Sequence, residues 1–178
     1  ANTVVKRVPD GDAIAFTDGA SRGNPGPSGA GTLLYIQERN AQPSEDYVPL
    51  GNSTNNHAEL WAIGVAISRV RDLPKEGRPY KLHIFTDSAY SIGCLAGGFV
   101  SRTNKHTIRA VRRAAANAIE DNIISTITYN WVPGHAGLDG NDMADHPANA
   151  GADASRGGSH SIDTTAITSS SNFTDYSG

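Results

Sequence analysis

The pattern of apolar and polar positions changes period along the chain. Short apolar runs rich in strand formers cover 14–17, 31–36 and 46–50, and a Gly/Pro-rich connection joins the first two. That spacing predicts three strands in an antiparallel meander. From 56 to 70 the period lengthens: Leu60, Ile63, Ile67 and Val70 recur at helical intervals, and Pro74 lies just beyond. A strand is predicted at 81–86, a short helix at 88–95, a longer helix at 105–121 and a last strand at 125–132, with a final helix after Gly140. Three strands followed by helices alternating with strands make a mixed α/β pattern.

Composition narrows this picture. A chain of 178 residues fits one domain with a sizeable core. The formal net charge of −3 means that contact with nucleic acid must come from a local basic patch. One cysteine, Cys94, excludes an internal disulfide framework and fits a reducing, intracellular setting, cytoplasm or nucleus. The best apolar run, 60–67, is far shorter than the roughly twenty residues of a membrane span, so a soluble protein is expected. From about Ser155 onward the chain turns to Gly, Ser, Thr and Asn, which predicts a folded domain over 1–154 and a polar, disordered tail over 155–178.

Candidate chemistry begins with a repeated tripeptide. Phe-Thr-Asp ends an apolar run at Asp18 and again at Asp87, whereas the copy at Asp175 follows no such run. A carboxylate at the end of a buried strand is costly to desolvate, and two of them on neighbouring strands suggest a shared cation. The stretch Gly23-Asn24-Pro25-Gly26-Pro27-Ser28-Gly29-Ala30-Gly31 is read as a wide hairpin turn, since its prolines remove the N–H donors a phosphate cradle needs and no Lys follows. Asn56-His57-Ala58-Glu59 has capping-box spacing, with Asn56 as the cap. Acids at Asp139, Asp142 and Asp145 open the last predicted helix, where they would offset its dipole.

Taken together, TDGASRGNPGPSGAG, TNNHAEL, FTDSAY and WVPGHAGLDGNDMAD resemble ribonuclease H, type 1, in order and spacing, over roughly residues 12 to 153. The resemblance implies a ribonuclease H-like fold, a mixed five-stranded sheet with antiparallel β1-β2-β3 followed by parallel strands, flanked by helices. It also implies a metal-dependent endonuclease that cuts the RNA strand of an RNA–DNA hybrid to 5′-phosphate and 3′-hydroxyl products. The four metal-binding carboxylates map onto Asp18, Glu59, Asp87 and Asp145, and a mobile loop histidine onto His135. Two Mg²⁺ ions are implied, with Mn²⁺ as a substitute, and hard oxygen donors suit both.

Substrate contacts carry over as well. Residues matching Asn24, Asn55, Asn56 and Ser88 lie along the hybrid's minor groove, and Thr54 and Asn104 fall in a pocket for a DNA phosphate. The chain departs from the pattern in having Asn52 where some members place Arg, and Ala89 where Gln is common. A Trp- and Lys-rich gripping helix has no room, because Gly97-Gly98 runs almost directly into the long helix. Arg102, Lys105, Arg109, Arg112 and Arg113 recur at helical spacing with no acid between Asp87 and Glu120, a stripe able to track phosphates. The missing helix leans towards a monomeric domain of a retroelement polyprotein, fused to or assisted by a polymerase or hybrid-binding domain. Pro147 is the other departure: if Asn141 caps the final helix, Pro147 either kinks its second turn or makes the helix start late, near Asp145. The alternatives to the nuclease are a catalytically impaired hybrid-binding or scaffolding module and a transposase or integrase of the same fold.

Overall fold

The computed structural model describes residues 7–134 and 139–156, with the side chains of 139–146 and 156 outside the description. Five strands, β1 (Ala13–Ser21), β2 (Gly26–Ile36), β3 (Ser44–Ser53), β4 (Tyr80–Thr86) and β5 (Ile124–Trp131), form one sheet in the order β3-β2-β1-β4-β5. β1, β2 and β3 pair antiparallel, and β1–β4 and β4–β5 pair parallel, the arrangement that the resemblance implies. The helices are α1 (Asn55–Arg69), α2 (Ala89–Leu95), α3 (Lys105–Glu120) and α4 (Asp139–Arg156).

Strand alternation sorts the core into two layers. Ala13 and Ala15 of β1, Leu34 of β2 and Leu82 and Ile84 of β4 face α1 and α3. Ile14, Phe16, Leu33 and Phe85 point the other way with Val8 and Val132, and the rings of Phe16 and Phe85 stack 5.1 Å apart across the β1–β4 pair. α1 is buried continuously from Ala58 to Ser68, wider than the face the apolar spacing predicts. Packed on the sheet on one side and on α3 on the other, it has its small residues enclosed too. α3 keeps the expected one-sided pattern, burying Ile108, Val111, Ala114 and Ala118.

The second layer corrects the reading of the Gly-rich stretch. β2 begins at Gly26, so most of that stretch is strand and the turn is only 22–25. The glycines are needed for close approach: a Cβ on Gly29 would collide with the α4 backbone at Ala148, Gly151 and Ala152. Ala148 and Ala152 are fully buried against this strand. Ser155 fixes the end of α4, its Oγ donating to the Ser28 carbonyl at 2.8 Å and accepting from the Gly51 N–H at 2.9 Å. The helix therefore carries packed structure through Ser155, and residues 157–178 of the expected tail lie outside the described residues.

Pro147 sits inside α4 and is buried. The helix begins at Asp139, so Asn141 is not its cap, a start near Asp145 does not occur, and Pro147 falls in the third turn rather than the second. Its missing N–H leaves the Met143 carbonyl without a helical partner, a local cost that the packing of α4 on β2 and β3 outweighs.

Candidate active site

Asp18 is not at a strand end. β1 continues through it to Ser21, with Asp18 opposite Gly31, because the Gly-containing part of β2 extends the pairing. Asp87 does follow the last residue of β4, and since β1 and β4 are neighbours the two Phe-Thr-Asp segments lie side by side.

Glu59 arrives from α1. Its predicted capping role is not the one the chain uses: the N-cap is Thr54, whose Oγ1 accepts from the His57 N–H at 3.3 Å, and Asn56 lies in the first turn. Shifting the cap leaves the Glu59 carboxylate free of the helix terminus and turns it towards β1. Gly19 makes this approach possible, since a Cβ there would run into the α1 backbone at Ala58 and Glu59. The Gly19 N–H donates to the Glu59 carboxylate.

The result is a cluster in which one carboxylate oxygen from each of Asp18, Glu59 and Asp87 lies within 4.8 Å of the others. Asp18 is 8% exposed and Glu59 9%. Burial pushes the Glu59 pKa well above the ordinary glutamate value, and the charges of Asp18 and Asp87 push it further. Glu59 Oε2 is buried with no hydrogen-bond partner. An orphaned carboxylate oxygen facing two other acids fits a site that takes a hard divalent cation.

The cluster lies in an open, polar cleft of about 470 Å³ bordered also by Ser21, Asn55, Asn56, Ser88 and Tyr90. Asn55 and Asn56 sit on the first turn of α1, and the Asn55 N–H is held by Asn24 Oδ1 at 3.1 Å, so the β1–β2 turn is tied to the helix start. Ser88 caps α2, its Oγ accepting from the Ser91 N–H at 3.1 Å. Asn104, at φ 60°, precedes α3 and donates to the Tyr90 hydroxyl at 3.2 Å. Asn55, Asn56 and Ser88 thus line the cleft, Asn24 and Asn104 are bonded to residues that line it, and Thr54, Ser88 and Asn104 have local structural duties as helix caps.

No helix occupies 96–104, as the short connection predicts. Arg109 instead borders a second hollow with Phe99, Lys105 and Arg112. Arg112 is partly committed, its Nη2 donating to the Cys94 carbonyl at 2.6 Å near the end of α2. Asp145 lies on α4 with its side chain outside the described residues, and His135 lies outside them altogether. Sequence reasoning gave no role to Gly19, Tyr90 or Trp131. The indole N–H of Trp131 donates to the Asp87 carbonyl at 3.2 Å, and only the residue's place in WVPGHAG hinted at the site.

A mixed sheet with three converging acids in an open polar cleft fits metal-assisted hydrolysis of a phosphodiester. The comparison with known proteins makes this specific. Residues 10–153 match the RNase H family, and the chain belongs to it. Ribonuclease H from Jannaschia sp. (strain CCS1) is 36% identical over 148 residues, which span 79% of this chain and 90% of that protein. The N-terminal RNase H domain of a Mycobacterium tuberculosis protein superposes with a TM-score of 0.65 at 25% identity, covering 82% of this chain and 96% of that one. RNase H1 from Halobacterium salinarum gives a TM-score of 0.63 at 26% identity over 80% and 98% of the two chains. The chain is thus a ribonuclease H, an endoribonuclease acting on RNA–DNA hybrid. Among the described residues no helix is long and apolar enough to cross a membrane.

Proposed function

We propose that the chain cuts the RNA strand of an RNA–DNA hybrid by hydrolysis that depends on a divalent cation, leaving 5′-phosphate and 3′-hydroxyl ends. The observation that carries this reading is the convergence of Asp18, Glu59 and Asp87 within 4.8 Å, with a buried Glu59 oxygen left unpaired. Asp18, Glu59, Asp87 and, from α4, Asp145 would hold the metal, and Mg²⁺ is the ion this all-oxygen donor set suits best. When bound, a pair of such ions polarises the phosphoryl group and lowers the pKa of water.

The protein's own residues do the remaining work. The first turn of α1 offers Asn55 and Asn56 at the positive end of the helix dipole, where a polyanion is welcome. Asn24, Asn55, Asn56 and Ser88 would line the minor groove, where 2′-hydroxyls mark the RNA strand. Thr54 and Asn104 would meet a DNA phosphate, and Arg109 and Arg112 would extend the contact along the duplex. His135 would move a proton near the scissile phosphate or help release product. The catalytic unit in this reading ends with α4, followed by the polar tail.

The test mixes the protein with labelled hybrid, duplex RNA and duplex DNA, with and without Mg²⁺. Cleavage of only the hybrid's RNA strand, abolished by chelation, is the expected result. Hybrid binding without cleavage would leave a binding module instead.

A further inference from the structure

We propose that Trp131 is a positioning residue for Asp87, setting the direction of that carboxylate through the peptide that follows it. The inference rests on the metal-dependent reading of the acidic cluster.

Trp131 is the last residue of β5 and pairs with Thr86, the last of β4. Its indole N–H donates to the Asp87 carbonyl at 3.2 Å. On the other side of the same peptide, the Ser88 N–H donates to Thr86 Oγ1 at 3.0 Å. The Asp87–Ser88 peptide plane is therefore held at both its oxygen and its nitrogen, which fixes ψ of Asp87 and so restricts the χ1 rotamers open to its side chain. Gly134, three residues beyond Trp131, lies so near that a Cβ there would come within 2.6 Å of Asp87 Oδ2. The strand end thus holds the Asp87 backbone, and the missing side chain of Gly134 just beyond it leaves room for the carboxylate.

A purely structural role explains this poorly. Trp131 is 58% exposed, so it buries little apolar surface. The strand ends are already joined by the Val132 N–H donating to the Thr86 carbonyl at 2.9 Å. What the indole adds is one hydrogen bond to the residue that carries an acid of the cluster. Partners that orient metal ligands from outside typically contribute ten- to a hundredfold in metal affinity or activity.

The experiment compares Trp131→Phe, which keeps a ring and removes the donor, with the unaltered chain. Expected are an unchanged metal-free melting temperature, a smaller rise in melting temperature on adding Mg²⁺, and a half-saturating Mg²⁺ concentration for cleavage about tenfold higher, with KM for hybrid unchanged. An unchanged Mg²⁺ requirement, or equal loss of melting temperature with and without Mg²⁺, would overturn the proposal. If the variant does not fold, the unaltered chain still decides. Trp61 is fully buried and Trp131 is exposed, and these are the chain's two tryptophans. Mg²⁺ should therefore change tryptophan emission or acrylamide quenching over the range that activates cleavage, and a flat response overturns the proposal. An unaltered chain that neither cuts hybrid nor gains stability with Mg²⁺ would remove the functional reading itself, whereas a normal parent with an indistinguishable variant removes only this inference.

Discussion

Replacing Glu59 by Gln tests the acidic cluster most directly, because it removes one charge and almost no volume. At an effective dielectric of about 20, two ionised carboxylates no more than 4.8 Å apart repel by at least about 3 kcal/mol, and Glu59 faces two of them. Proton uptake relieves part of this, so the metal-free protein should gain about 1–3 kcal/mol at neutral pH, or roughly 2–10 °C in melting temperature for a chain of this length. The amide oxygen can keep the Gly19 N–H bond, and the new NH₂ can donate to Asp18 as the protonated Glu59 carboxyl does, without needing proton uptake. Cleavage should fall at least about a hundredfold, some 2.7 kcal/mol of transition-state stabilisation.

The pH dependence has a definite sign. Because burial and its neighbours raise the Glu59 pKa in the folded chain, the folded state binds the proton more tightly than the unfolded state. Its contribution to stability is fully present below the unfolded value of about 4.3 and is lost as pH rises through the raised folded value. Thermal melts in chelator from pH 5 to 8 should show the parent losing stability relative to Glu59→Gln as pH rises. A variant less stable than the parent at pH 8 without metal, or one that still cleaves at full rate, would refute the reasoning.

Three further outcomes are expected. Asp145→Asn should be inactive in the hybrid assay while Asp142→Asn keeps most activity, and the reverse would exchange their roles. Pro147→Ala restores the N–H for the Met143 carbonyl in the third turn of α4 and should raise the melting temperature by several degrees, from at most about 3 kcal/mol, without slowing cleavage; a lower melting temperature would show the ring's packing matters more. Arg109→Ala should lower the salt dependence of hybrid binding by about one phosphate contact with little change in melting temperature, whereas Arg112→Ala should also destabilise the chain by releasing the Cys94 carbonyl; equal effects on both measurements would contradict the contacts seen.

Most element types and their order were legible in the apolar periodicity, because strands of alternating Ile, Phe and Leu and the one-sided α3 bury what their spacing advertises. The misreadings of the Gly-rich stretch and of the width of the buried face of α1 share a cause. Where Gly and Ala dominate, as in 26–31 and along α1, hydrophobic spacing is nearly silent, and only a packed neighbour shows that these residues are buried. Gly29 reads as a turn residue, and Gly151 has no evident packing role, until α4 is laid on the sheet. Asp18 and Glu59 were found by their motifs, yet their geometry depends on Gly19 and on the choice of Thr54 over Asn56 as cap, a competition between two good cap residues that local sequence does not decide.

The same small residues bear on where the protein tolerates change. α4 is held by backbone approach at Gly29 and Gly151 and by Ser155, so a truncation should respect these contacts rather than the composition shift near Ser155. Removing 157–178 should leave the melting temperature and hybrid cleavage close to those of the parent. Removing Ser155 as well strips the Gly51 N–H and the Ser28 carbonyl of their partner, each a loss of about 1 kcal/mol or more where water cannot replace it. It also frees the C-terminal end of α4, the helix on which Asp145 lies, so activity should fall with stability. The two truncations, compared by melting temperature and cleavage rate, separate a tail from a strut: equal behaviour would mean that Ser155 does not anchor α4.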